Sequence, residues 1–186
     1  AAPREDNSPV MVVGSSWPAD EDVYRGWVTE KGVRTVIAPH EFDSQRLGRL
    51  QREFPDAVLY SQVKDDPAKA ATARTLIIDC FGLLSSAYAY GDMAYVGGGF
   101  GAGLHNINEA AVYGIPVIYG PNNHKFIEAQ ELKAAGGGFP VASGEEFCRA
   151  ADALLDEGVR RAAGEKAAAY IRSKLGATKR ICDDIF

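Results

Sequence analysis

The chain has 186 residues, 46% of them apolar and 24% charged, which suits one globular domain with a substantial core. Its formal net charge of -5 argues against a broad nucleic-acid surface, because such surfaces cluster lysine and arginine. The three cysteines are far apart and show no Cys-x-x-Cys spacing, so neither a disulfide framework nor a zinc knuckle is expected. We expect reduced thiols, as in cytoplasmic proteins.

Residues 1–8 are polar and are interpreted as a linker or a cloning remnant. Residues 9–186 are then expected to form one domain. No apolar run approaches the roughly 18–20 residues that cross a bilayer, and no secretory signal peptide is evident.

Short β-branched runs alternate with helix-like segments along the rest of the chain. Strands are predicted at 9–13, 35–38, 57–60, 75–79, 93–96, 115–119 and 139–141. Helices are predicted at 20–32, 42–54, 83–90, 108–113, 124–135 and from 144 onwards, with breaks near Gly158 and Gly176 and an exposed loop at 62–73. The alternation predicts an α/β fold with a doubly wound, Rossmann-like parallel sheet.

Four loops that follow predicted strands carry most of the unusual residues: 14–17, 39–41, 97–105 and 120–125. In a parallel sheet the carboxyl ends of the strands lie at one edge, and ligands bind in the crevice outside that edge. We therefore expect a single candidate site formed by these loops.

The glycine-rich loop Gly97–Gly103 is the strongest local signal. Glycine permits positive φ and close approach of a ligand, and consecutive amides bind anions. Gly99 and Gly101 begin a G-x-G-x-x-G pattern, but Leu104 occupies the last position, and no P-loop spacing is present. Taken alone, an anion-binding loop and a loop that packs a helix on the sheet are equally good interpretations.

His105, Asn106 and Glu109 follow the loop and are predicted to begin a helix, with His105 and Glu109 on one face. Backbone amides and the helix dipole would attract an anion, and the carboxylate would accept hydrogen bonds from sugar hydroxyls. The alternative to ligand binding is a structural role, in which Asn106 caps the helix and Glu109 is a solvated carboxylate. A metal site lacks an evident third ligand.

An ordered series of motifs runs through residues 10–138. Its members are Gly14-Ser15-Ser16-Trp17 with Asp20-Glu21, Ala38-Pro39-His40, Asp79-x-x-Gly82-x-Leu84, Tyr88, Asp92, Val96-Gly97-Gly98, Gly103-x-His105-Asn106-x-x-Glu109-Ala110-Ala111, Gly114-x-Pro116-Val117, Gly120-Pro121 and Phe126. Together they resemble the 3-deoxy-D-manno-octulosonic acid (Kdo) transferases of lipid A assembly, and several linked motifs are more specific than any one of them.

The resemblance implies the C-terminal half of a two-domain GT-B glycosyltransferase of lipopolysaccharide biosynthesis. This half would bind the donor CMP-Kdo without a cofactor or a metal. The other half would bind the lipid A precursor at the inner face of the bacterial inner membrane and supply the catalytic base. By this resemblance the 186 residues alone are expected to be inactive, and no catalytic residue is assigned among them.

The resemblance also implies a set of donor-binding residues. Ser15 and Ser16 would lie beside the phosphate, and His40 would meet the Kdo carboxylate. The loop facing the phosphate and sugar would contain Gly97, Gly98, Gly99, His105 and Asn106. Glu109 would hold the ribose.

The chain departs from the family pattern in three places. Leu83 stands where the family usually has Glu, and Pro39 is followed by His40 without the family's intervening Arg. The segment 100–104 also differs from the commoner form of the loop. Two alternatives therefore stay open: the donor half of another GT-B enzyme that uses a UDP-sugar, or of a UDP-GlcNAc 2-epimerase, and a non-catalytic nucleotide-binding module.

Overall fold

A computed structural model describes residues 8–101 and 103–176. The predicted linker therefore lies, apart from Ser8, outside the described residues. The described part contains seven strands, β1 (Val10–Ser16), β2 (Arg34–Pro39), β3 (Ala57–Leu59), β4 (Thr75–Ile77), β5 (Met93–Val96), β6 (Val117–Tyr119) and β7 (Gly138–Pro140).

All strand pairs are parallel, and the strands lie in the order β3-β4-β2-β1-β5-β6-β7. Without the edge strand β3 this is the Rossmann order, so the predicted doubly wound sheet is confirmed. The chain reverses its direction of travel across the sheet between β1 and β5. Ligands of such sheets bind outside the carboxyl ends of the strands at this switch point.

Helices cover both faces of the sheet. They are α1 (Pro18–Lys31), α2 (Ser44–Glu53), α3 (Tyr60–Val63), α4 (Leu84–Ala87), α5 (Asn108–Ala111), α6 (Ile127–Ala135), α7 (Gly144–Leu155) and α8 (Glu157–Lys174), with short 3₁₀ turns at Pro67–Ala70 and Tyr88–Tyr90. Within the described part of the chain, no helix has both the length and the apolar character to cross a membrane.

The core consists of two apolar layers, one on each face of the sheet. Side chains alternate along β1, so Met11 and Val13 pack under α1, α2 and α7, while Val12 packs under the helices of the opposite face. Burial on both faces is typical of a parallel sheet and holds its carboxyl edge rigidly.

The helix predicted at 108–113 ends two residues earlier than expected. It ends after Ala111, because Gly114 adopts a left-handed conformation with φ 69° and Pro116 follows. The break predicted at Gly158 lies at Asp156, whose Oδ1 accepts a hydrogen bond from the Val159 amide and caps α8.

Candidate functional site

The carboxyl end of β1 is irregular. Ser15 has φ 53° and is the one non-glycine residue with positive φ in the described ranges. The pairing with β2 shifts by one residue between Gly14 and Ser16. A Cβ on Gly97 would lie 2.4 Å from the Ser15 carbonyl oxygen. The bulge at Ser15 and the first glycine of the loop are therefore in direct contact, and strained positions of this kind cluster at functional sites.

Ser16 lies beneath this surface. It is fully buried, and its hydroxyl donates a hydrogen bond to Glu21 Oε1 at 3.0 Å. The same carboxylate forms an ion pair with Arg46. Burial raises the pKa of Glu21, while Arg46 opposes the shift. The Ser16 hydroxyl therefore bonds within the protein, and Ser15 is the serine that reaches the surface.

Asp20, buried in the first turn of α1, anchors the glycine loop. Its Oδ2 accepts hydrogen bonds from the amides of Trp17 and Gly98, both at 2.9 Å. Its Oδ1 accepts one from the Tyr95 hydroxyl at 2.9 Å. One carboxylate thus joins β5, the loop that follows β5 and the start of α1.

Most of the loop glycines satisfy their amides within the protein. The Gly97 amide donates to the Gly14 carbonyl at 2.9 Å. Those of Gly101 and Gly103 donate to the Gly98 carbonyl at 3.0 and 3.1 Å. With the Gly98 amide bonded to a carboxylate, these four donors are not free for a phosphate, which limits the anion-binding role expected for the loop.

The turn after β6 packs directly on the glycine loop. A Cβ on Gly99 would lie 2.6 Å from the Gly120 Cα, so the two backbones touch. Asn122 links them further, because its amide donates to the Gly99 carbonyl and its side chain donates to the Gly101 carbonyl, both at 2.9 Å. Glycine is needed here for close packing of backbone on backbone.

Three rings from three strand ends meet above the loop. His40 stacks on Trp17 with ring centroids 4.4 Å apart and on His105 with centroids 4.6 Å apart. The Trp17 indole Nε1 donates a hydrogen bond to His105 Nε2 at 3.3 Å. His40 is exposed, while the other two are half-buried. We name Trp17, His40 and His105 the aromatic cluster.

The surroundings of His105 favour its neutral form. Burial lowers the pKa of His105, and the neighbouring His40 lowers it further. Asp20 and Glu109 act in the opposite direction, but they do not outweigh burial. A neutral imidazole presents one donor and one acceptor nitrogen.

Asn106 and Glu109 form one hydrogen-bonded unit beside the aromatic cluster. The Asn106 side chain donates to Glu109 Oε1 at 3.2 Å and accepts from the Asn108 amide at 3.1 Å. Asn106 borders a cleft of about 260 Å³. The cleft is lined by Leu104, His105, Asn106, Ile107, Asn108, Phe126 and Glu128. His105 and Asn106 precede α5, so the prediction that they lie in a helix is wrong, because the helix is only one turn long.

A second depression of about 290 Å³ adjoins this cleft across Phe126. It is lined by Gly101, Gly103, Asn122, His124, Lys125 and Phe126. A larger groove of about 500 Å³ lies elsewhere, on the sheet face near β2 and β4, and its lining is mainly apolar. The polar groups that converge at the switch point, and not cavity size, identify the candidate site. No group of three side chains suited to hold a metal ion occurs in ranges 8–101 and 103–176.

Comparison with known proteins points to one family. No family model matches the chain. It is 42% identical over 82 residues to the 3-deoxy-D-manno-octulosonic acid transferase of Aquifex aeolicus, covering 43% of this chain and 23% of the relative. It is 30% identical over 136 residues to the 3-deoxy-D-manno-octulosonic acid transferase of Chlamydophila psittaci, covering 69% of this chain and 30% of that relative. The chain is a homologue of the Kdo transferases.

The fold agrees with this family. The C-terminal CMP-Kdo binding domain of WaaA from Acinetobacter baumannii matches with a TM-score of 0.65 and 17% identity, over 87% of this chain and 90% of that domain. The predicted C-terminal half of a GT-B glycosyltransferase is thereby confirmed as the fold. The chain spans less than a third of the length of the two Kdo transferases above.

The structure brings the predicted residues to one edge of the sheet. Those that reach the surface are Ser15, His40, His105, Asn106 and Glu109. Gly97, Gly98 and Gly99 are buried and set the shape of the loop. Contact between any of these residues and a donor stays a prediction.

Three residues of the motif series shape the site, although no individual role was predicted for them from the sequence. Asp20 lies three residues after Trp17, which is the spacing of a capping box and a signal that could have indicated its anchoring role. Trp17 is an aromatic residue directly after a strand, which is unusual for a solvent-facing turn. Phe126 separates the two clefts, and its membership of the family motif is the signal that indicated this position.

Proposed function

We propose that this chain is the donor-binding domain of a Kdo transferase, which binds CMP-Kdo for transfer to a lipid A precursor in lipopolysaccharide biosynthesis. The observation that carries the proposal is that the family's motif residues, scattered through the sequence, converge at the switch point between β1 and β5. This is where doubly wound sheets bind nucleotides.

The geometry supports separate tasks for the surface residues. Glu109, already oriented by Asn106 at 3.2 Å, has the carboxylate chemistry to accept both ribose hydroxyls. His40 is the exposed ring of the aromatic cluster and would meet the Kdo carboxylate. Ser15, at the bulge beside the glycine loop, would face the phosphate.

The proposed reaction is a single displacement with inversion. The acceptor hydroxyl oxygen forms a bond to the anomeric carbon of Kdo while the bond from that carbon to the CMP phosphate oxygen breaks. CMP leaves with the electron pair, and a base takes the acceptor proton. We propose that this base lies outside the 186 residues. The buried carboxylates Asp20 and Glu21 already hold protein partners, so neither suits the task.

The acceptor and the membrane would be engaged by another part of the enzyme, at the inner face of the bacterial inner membrane. The charge of -5 on this chain gives no general attraction to an anionic lipid surface. We therefore propose that the chain presents the donor, and that the lipid A precursor approaches from the side on which the carboxyl edge of the sheet opens.

The test is incubation of the 186-residue chain with CMP-Kdo and lipid A precursor. Donor binding is followed by equilibrium dialysis, and lipid products are followed by mass spectrometry. We expect donor binding without transfer. Transfer by the chain alone would place the base among these residues, and failure to bind CMP-Kdo would contradict the proposed function.

A further inference from the structure

We propose that Trp17 is a positioning residue that fixes His105 as a neutral imidazole in one tautomer, with its Nδ1–H directed to the bound nucleotide-sugar. The ligand role rests on the proposed function, whereas the contact itself does not. Trp17 follows β1 and His105 lies 88 residues later, so the fold alone creates the pair.

The tautomer follows from the hydrogen bond. An indole Nε1–H can only donate, so the nitrogen that it contacts must carry a free lone pair. His105 Nε2, at 3.3 Å from Trp17 Nε1, is therefore the acceptor. The ring proton of neutral His105 must then reside on Nδ1, and protonation of Nε2 would break the contact.

The orientation of the ring is set from two further sides. A Cβ on Gly98 would lie 2.9 Å from His105 Cδ2, so this ring edge rests on the glycine loop. His40 stacks on one face at 4.6 Å. Nδ1 is bonded to Cγ on the side opposite Cδ2, so Nδ1–H lies on the edge turned away from the loop. Four loop amides already bond within the protein, so a phosphate or sugar oxygen needs another donor, and the proposal assigns that task to this N–H.

The charged and titratable groups around His105 come from three elements. His40 follows β2, Asp20 lies in α1 and Glu109 lies in α5. Burial and His40 lower the pKa of His105, and the two carboxylates raise it. Trp17 acts in the same direction as burial, because a donor at Nε2 stabilises only the unprotonated nitrogen. Removing the donor should therefore raise the pKa of His105.

The experiment compares Trp17→Phe with Trp27→Phe. Phenylalanine keeps an aromatic ring next to His40 and lacks the N–H donor. Trp27 is the only other tryptophan of the chain, and its Nε1 donates to Asp152 Oδ1 at 2.8 Å. It lies ten residues further along α1, roughly 15 Å away along the helix axis. Trp27→Phe therefore removes the same group far from the site.

The first measurement is the tautomer and pKa of each of the three histidines, followed by ¹H–¹⁵N NMR of the ring nitrogens against pH. We expect His105 of the unaltered chain to be protonated at Nδ1 only and to titrate below the ordinary histidine range. In Trp17→Phe its pKa should rise, while Trp27→Phe should leave it unchanged. A proton on Nε2 in the unaltered chain would overturn the proposal, even if Trp17→Phe failed to fold.

The second measurement is CMP affinity at pH 8, where His105 is neutral. Loss of one neutral hydrogen bond predicts a roughly three- to tenfold weaker affinity for Trp17→Phe and no change for Trp27→Phe. Equal affinity of the two variants would overturn the ligand role. Absence of CMP binding by the unaltered chain would contradict the proposed function, and the NMR measurement would still decide the Trp17 contact.

Discussion

The carboxylate of Asp20 accepts hydrogen bonds from a helix start, a loop and a strand, and it is almost fully buried. Asp20→Ala leaves three donors without a partner, two of them in buried hydrogen bonds, so we expect a loss of about 3 kcal/mol or more in the free energy of unfolding. Asp20→Asn should cost about 1 kcal/mol, because its oxygen still serves both amides and the Tyr95 hydroxyl can accept from the new amide group.

Urea denaturation measures both changes. The matched control is Asp22→Ala in the same turn of α1, where the side chain is 59% exposed and pairs with Arg25 and Arg49 on the surface. Asp22→Ala should change the free energy of unfolding by no more than about 0.5 kcal/mol. Equal losses at Asp20 and Asp22 would show that the loop does not depend on the buried carboxylate.

Glu109 tests the ribose assignment. Glu109→Gln keeps the shape and one acceptor oxygen, so CMP affinity should fall roughly tenfold, or about 1.4 kcal/mol, with little change in melting temperature. The control is Glu157→Gln, an exposed first-turn residue of α8, which should change neither quantity. Isothermal calorimetry and thermal melting measure the two effects.

A ligand without the 2′-hydroxyl separates the ribose role from general electrostatics. If Glu109 holds that hydroxyl, Glu109→Gln should weaken the binding of 2′-deoxy-CMP much less than the binding of CMP. Equal weakening of both ligands would leave Glu109 with an electrostatic or structural part only. The hydrogen bond from Asn106 at 3.2 Å explains how the carboxylate is held before a ligand arrives.

At the scale of the secondary-structure elements, the loops after β5 and β6 pack backbone on backbone. Gly99→Ala places a Cβ 2.6 Å from the Gly120 backbone, which cannot yield without separating the loops. We expect destabilisation of about 1–3 kcal/mol together with weaker CMP binding. Gly26→Ala, in an exposed position of α1 with open space around the new Cβ, should instead stabilise the chain by about 0.5–1 kcal/mol.

In chemical denaturation, we expect Gly99→Ala to lower the free energy of unfolding and Gly26→Ala to raise it. If Gly99→Ala left the free energy of unfolding unchanged, the loops would tolerate separation and glycine at this position would serve another purpose. Because both substitutions add the same methyl group, their difference isolates the local environment.

The strands were easier to predict than the helices that connect them. β5 was predicted with its observed bounds, because an apolar run is bracketed by glycines on both sides. The helix after the glycine loop was predicted to reach Tyr113, because Val112 and Tyr113 continue the apolar run, but both residues belong to the turn that leads to Gly114. Short connecting helices are decided by backbone turns and packing, which a local pattern does not reveal.

The place of the site was predictable for a related reason. Alternation of strands and helices puts all strand-end loops at one edge, whatever their order in the chain. What joins them there was not predictable, because the stacking of His40 on His105 and the bond from Gly98 to Asp20 connect residues distant in sequence. The family resemblance supplied candidate residues, while their division into surface and buried roles required the structure.

The whole molecule presents a parallel sheet with polar and aromatic residues gathered at one edge, and we propose that this edge binds the nucleotide of CMP-Kdo. Isothermal calorimetry of the 186-residue chain with CMP, UDP and ADP, without added Mg²⁺, tests it. We expect measurable binding of CMP, tighter than that of UDP or ADP. Equal affinity for the three nucleotides, or binding only when a divalent metal is added, would contradict it.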